Sequence, residues 1–149
     1  MMISAPFRPY DKERIEREKK VMSEFGLRRK REIRRAEALL RDFRRRARRL
    51  QAASDSAAEQ TLFSKLSSLG LVREEPRLDD VLEIRLENIL GRRLQSIVHK
   101  KGLAKTSKEA RLLISHGKVT INKRRIRYAG YLVPVNEEEA LHVVREVKS

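Results

Sequence analysis

The side chains with the most evident chemistry in this 149-residue chain are cations. Ten lysines and arginines fall within "KKGLAKTSKEARLLISHGKVTINKRRIR", Lys100 to Arg127. Lys105, Lys108 and Arg111 group around the start of a helix that Thr106 and Glu109 cap. The threonine hydroxyl is expected to accept from the amide of Glu109, and the carboxylate to return to the amide of Thr106. The free amides and the dipole at such an end already favour an anion, so a phosphate is the expected ligand. Lys105, Lys108, Arg111, Lys118 and Arg124 are expected to form one phosphate-contacting patch. Catalytic chemistry is not evident. His99, His116 and His142 lie too far apart in sequence for a metal motif, and no serine or carboxylate near them completes a constellation. No enzyme, cofactor, metal or small-molecule substrate is expected.

The elements that must hold these cations follow from periodicity. Ala110, Leu113 and Ile114 form the inner edge of the helix after Thr106, and Gly117 closes it. Val119 and Ile121 then alternate with Lys118 and Thr120, the period of a strand. Asn122 and Lys123 fall where a two-residue hairpin turn belongs, and Arg124, Arg125 and Arg127 leave on the second strand. Further strands are expected at "YLVPV" and "LHVV", separated by an acidic loop "NEEEA". Upstream, Asp79 caps a short turn through Leu82. The stretch "RLENILGRRLQSIVHKKG" then reads as one helix ending at Gly102, with Leu86, Ile89, Leu90, Leu94, Ile97 and Val98 inward and Arg92, Arg93, Lys100 and Lys101 outward.

A second basic block precedes this unit. Residues 28 to 49 hold twelve basic and three acidic side chains, and residues 85 to 127 hold thirteen and two. Ile33, Ala36, Leu40, Phe43, Ala47 and Leu50 recur at spacings of three and four, one narrow helical stripe. Glu32 with Arg35, Glu37 with Arg41 and Asp42 with Arg46 are expected to relieve repulsion along the helix. A face meant only for solubility would mix the signs more evenly. Before the block, Asp11 caps a helix closed at Gly26, with Ile15, Met22 and Phe25 inward. After it, Ser54 to Ser56 interrupt the pattern, and a further helix offers Leu62, Phe63, Leu66 and Leu69 before Gly70. "REEPRLDD" is a connector. The fold class is therefore α+β: a basic α-helical body over residues 1–78, then two helices and a small antiparallel sheet over residues 79–149.

Composition narrows the partner. A net charge of +15 calls for a polyanion. With no cysteine, disulfides, thiolate zinc sites and cysteine nucleophiles are excluded. No apolar run approaches the roughly 18 residues of a membrane span, and "MMISAPFRPYDKERIEREKK" lacks the apolar core of a signal peptide, so a cytosolic location and no membrane partner are expected. A membrane-surface helix would also need a broader apolar face than the arginine-rich helix offers. On charge alone duplex DNA is an alternative, because the helix, turn and helix around Gly102 could mimic a groove reader.

Within "RRLQSIVHKKGLAKTSKEARLLISHGKVTIN", Gly102, Leu103, Ala104, Thr106, Ala110, Arg111, Leu113, Ile114, Gly117, Val119 and Asn122 fall in the register of a known pattern. The stretch resembles the small RNA-binding module named after ribosomal small-subunit protein S-four, which also occurs in pseudouridine synthases, tyrosyl-tRNA synthetases and RNA methyltransferases. "FGLRRKREIRRAEALLRDFRRRARRL" and "LDDVLEIRLENILGRRLQ" are similar to the body of the S-four family itself, in its archaeal and eukaryotic form, so the resemblance runs from about Pro9 to Val147. It implies direct binding to small-subunit rRNA early in subunit assembly, a cytoplasmic place in the small ribosomal subunit, and contacts with neighbouring small-subunit proteins. It also implies a position near the messenger entry path, with mRNA as a further partner.

The candidate RNA contacts are Arg28, Arg29, Lys30, Arg31, Arg34, Arg35, Arg41, Arg44, Arg45 and Arg48 in the first block. In the second they are Arg92, Arg93, Lys100, Lys101, Lys105, Thr106, Lys108, Arg111, His116, Lys118, Asn122, Lys123, Arg124, Arg125 and Arg127. Three departures from the family stand out. The zinc-binding cysteines of many bacterial relatives are absent. Arg34 replaces a common aromatic and Lys123 a common glycine, which suggests additional phosphate contacts or a locally different fit. The stretch before Pro9 is shorter than usual.

Overall fold

The computed structural model describes residues 11–144; the short stretch before Pro9 and the last residues of the resemblance, to Val147, lie outside them. Helix α1 (Lys12–Phe25) begins where the Asp11 carboxylate accepts from the amide of Arg14, and it ends at Gly26 with φ 65°. Helix α2 (Lys30–Ala53) carries the apolar stripe, and Ile33, Ala36, Leu40, Phe43, Ala47 and Leu50 are all buried. Asp55 caps α3 (Ser56–Ser68), whose Leu62, Phe63 and Leu66 are buried while Leu69 is only half-buried. Short helices α4 (Leu78–Leu82) and α5 (Leu86–Gly91) follow and pack on α2. The first core therefore runs from Leu27 to Leu90, and it includes Val81, Ile84 and Ile89, which lie beyond the connector.

The second core starts at Leu94 and takes in Ile97, Val98, Ala104, Ala110, Ile114, Val119, Ile121, Val133 and Leu141. It joins α6 (Leu94–Lys100) and α7 (Ser107–Ser115) to a sheet of β1 (Val119–Ile121), β2 (Arg124–Arg125) and β3 (Leu141–Val143). All pairs are antiparallel, in the order β2-β1-β3, with Ile121 opposite Arg124 and Thr120 opposite His142. Asn122 and Lys123 have φ of 52° and 67°, the sign pattern of the two-residue turn whose twist matches the strands.

The structure corrects several local expectations. The single helix expected from Arg85 to Gly102 is two helices, broken at Arg92 and Arg93. There the backbone turns aside to pair with a distant segment: Leu94 N donates to Tyr131 O at 2.7 Å, and Val133 N donates to Arg92 O at 3.0 Å. "YLVPV" consequently makes only an isolated bridge, Leu132 with Arg93, in place of a strand. The acidic loop is in part a helical turn, α8 (Val135–Glu138), which Pro134 introduces. Its acidic first turn suits a helix amino end. At α7 the Glu109 carboxylate accepts from the amide of Lys105, not from that of Thr106, whereas the Thr106 hydroxyl accepts from Glu109 N as expected.

Candidate nucleic-acid interface

The two cores are joined by polar groups around Glu32. One oxygen of its carboxylate accepts from the amides of Arg28 and Arg29 at 2.8 and 3.0 Å, which caps the start of α2. The other accepts from Arg93 at 2.8 Å and from Arg111 at 2.9 Å, on the far side of the boundary. The expected pairing of Glu32 with Arg35 is thus replaced by pairs across the fold. Burial alone would push this carboxyl up, but the amides of Arg29 and Arg28 and the guanidinium groups of Arg111 and Arg93 outweigh it and hold the group down at about 2. Burial lowers the Arg93 guanidinium, and Glu32 opposes that shift.

Beside this carboxylate lies Gln95, fully buried. Its amide nitrogen donates to Gly26 O and Ser107 O, both at 2.9 Å, and its oxygen accepts from Arg111 at 3.3 Å. Every hydrogen-bonding group of the side chain serves to hold the α1–α2 turn against α7. Gly26 is the point of closest approach: a Cβ there would lie 2.6 Å from Ser107 Cβ and 2.8 Å from Gln95 Nε2.

This joint shapes a cleft of about 400 Å³, bounded by the start of α2, the end of α5, α7 and residues 127–132. Seven arginines line it, Arg28, Arg29, Arg31, Arg35, Arg93, Arg111 and Arg127, against one carboxylate, Glu32. That carboxylate is committed to Arg93 and Arg111. The guanidinium groups of the other five have no acidic partner among the described residues. The charge of such a hollow suits an anion of several charges, because a field is focused between low-dielectric walls.

The remaining candidates divide by what already occupies them. Arg93 is buried, and Arg92 is mostly so: it donates to Val133 O at 2.6 Å and pairs with Glu138 at 3.2 Å. The expectation that both point outward is corrected, since backbone and carboxylate partners draw them in. Arg44 donates to Ile84 O at 2.9 Å, tying α2 to the end of α4, and Arg34 is half-buried with no partner for its Nε. Lys30 pairs with Glu18, and Arg45 with Asp42. Asp42 also pairs with Arg46 as expected, whereas Glu37 meets Arg14 of α1. Arg41 and Arg48 lie exposed on α2. Lys100, Lys105, Thr106 and Lys108 are exposed at the α6–α7 turn, His116 at the end of α7, and Asn122, Lys123, Arg124 and Arg125 at the hairpin. Lys101 donates to Glu138 O, and Lys118 is half-buried beyond α7. The five residues read as one patch are therefore spread over both ends of α7 and the hairpin, with Arg111 engaged at the joint.

Sequence reading missed Glu32 as a bridge, Gln95, and Tyr128, whose hydroxyl accepts from Arg35 at 3.0 Å. Only Gln95 left a signal, a polar side chain set within the apolar pattern of Leu94, Ile97 and Val98. Among the described residues no helix is long and apolar enough to cross a membrane, and no group of three or more histidines or carboxylates could hold a metal.

Comparison with known proteins identifies the second unit first: residues 92–138 match the family described as the S4 domain. The whole chain is similar to small ribosomal subunit protein uS4 of Ignicoccus hospitalis, 48% identical over 141 residues, covering 93% of this chain and 85% of the relative. The chain belongs to the uS4 family of small ribosomal subunit proteins. The uS4 protein of Halobacterium salinarum is 43% identical over 136 residues, 91% of this chain and 80% of its own. That of Thermoplasma volcanium is 44% identical over 144 residues, 93% and 72%. As a uS4 family member the chain is a structural ribosomal protein with an S4 RNA-binding domain, and it is not an enzyme.

Proposed function

We propose that the chain binds small-subunit rRNA directly in the cytoplasmic small subunit, with the arginine cleft as the centre of the contact and the exposed cations of α2, the α6–α7 turn and the hairpin as its margins. The observation that carries this reading is the cleft, to which both cores contribute arginines and whose single carboxylate is already used. Arginine forks match phosphate oxygens and stack on bases. A rigid pair of basic units fixes where backbone crossings are met, so RNA shape is read more than sequence. Early action in subunit assembly, contacts with neighbouring small-subunit proteins and a position near the messenger entry path, where mRNA would be a partner, extend the proposal through family likeness.

A competition experiment tests the binding. At equal salt, a folded small-subunit rRNA transcript should displace a labelled copy of itself far better than duplex DNA of equal phosphate content. Equal competition would overturn the reading. Cosedimentation with small subunits should survive a high-salt wash, and loss at modest salt would point to a loosely held accessory factor.

A further inference from the structure

We infer that Tyr128 is a stacking platform for an unpaired base of the bound RNA, a role that rests on the rRNA-binding reading and deepens it. Leu112, Tyr128, Val135 and Val144 are the large apolar side chains left exposed among the described residues, and of these only Tyr128 lines the arginine cleft. Tyr128 is 56% exposed as a residue. Ile126, Ala129 and Tyr131 around it are half-buried against the second core, whereas Tyr128 stays exposed, so burial does not explain its place.

The ring is nevertheless held. Arg35 donates to its hydroxyl at 3.0 Å. Its phenol end lies against Gly130, where an added Cβ would come within 3.2 Å of Cζ. A turn in which Tyr131 N donates to Tyr128 O at 3.2 Å fixes the backbone beneath it. An exposed aromatic residue tethered at its hydroxyl by Arg35, in a cleft that Arg31 and Arg127 also line, has the parts that single-stranded recognition uses: a π surface for a base and cations for the adjoining phosphates. Bases within a continuous duplex have no free face to offer, so the RNA met here is a loop, bulge or junction strand.

The chain contains no tryptophan, so Tyr128→Trp introduces a single tryptophan at the site, whose emission can be excited selectively over that of the remaining tyrosines. With full-length chain and in vitro transcribed small-subunit rRNA, the Tyr128→Trp variant should bind at least as tightly as the original, and its emission should be quenched on binding. Tyr128→Leu keeps apolar bulk without a ring. It should bind about tenfold more weakly or worse, with an unchanged salt slope, because stacking releases no counterions. Tyr128→Phe should stay within about threefold of the original. The position is half exposed, so the leucine variant should fold normally, which circular dichroism checks. Wild-type affinity in Tyr128→Leu, or unaltered emission of Tyr128→Trp at saturation, would overturn the inference while leaving rRNA binding intact. Failure of the unmodified chain to prefer rRNA over duplex DNA would instead remove the binding reading itself.

Discussion

At the scale of single residues, Glu32 decides how the two cores meet. Its carboxyl is held at about 2 against an ordinary 4.5. A folded-state value below the unfolded one contributes stability that is complete above about pH 4.5 and is lost as pH falls toward 2. The size of the shift sets an upper bound of roughly 3 kcal/mol, which solvent screening of this half-buried group reduces. Glu32→Gln should therefore unfold at lower urea at pH 7, and its deficit against the original should shrink between pH 5 and pH 2.5. A deficit that stays constant over that range would show that the carboxylate charge is not what joins the units. The tertiary role of Glu32 was not legible in the sequence. A glutamate three residues before Arg35 has an obvious local partner, and nothing in the spacing reveals Arg93 and Arg111, which are 61 and 79 positions away.

At the scale of elements, local rules worked where local groups satisfy the backbone. Asp11 and Thr106 begin helices as their side chains dictate, Gly26 ends one because it lacks a side chain, and the stripe of α2 is buried as its spacing requires. Those rules failed at Arg92–Arg93, where the amide of Leu94 finds its acceptor in Tyr131. Two substitutions test the elements. Lys123 has φ 67° in the hairpin turn, a conformation that costs a side chain about 1 kcal/mol and costs glycine little. Lys123→Gly should raise the melting temperature by several degrees while slightly weakening RNA binding. A melting temperature that falls would contradict the turn geometry. Gly26→Ala combines a left-handed φ with a Cβ 2.6 Å from Ser107 Cβ. It should cost about 2 kcal/mol or more by denaturant titration, since either the turn or the joint must shift. An unchanged midpoint would mean that α7 does not press on this turn.

At the scale of the whole molecule, a net charge of +15 is concentrated in two segments that are far apart in sequence. Folding brings part of both to one cleft, with Glu32 neutralising some of the charge there. Charge blocks and the S-four pattern made the class of partner legible. The cleft itself was not, because it depends on how α2 lies against α7 and the segment 127–132. Self-repulsion among its five acid-free arginines is a cost in the free protein that bound phosphates would remove. The most direct test of this account is the salt dependence of rRNA affinity for a variant with Arg28, Arg29, Arg31, Arg35 and Arg127 all changed to alanine. Each lost phosphate contact should lower the slope of log affinity against log salt by about 0.7 to 0.9, so the five together should reduce it by roughly four. A variant that folds normally and keeps the original slope would contradict the claim that the cleft holds the RNA.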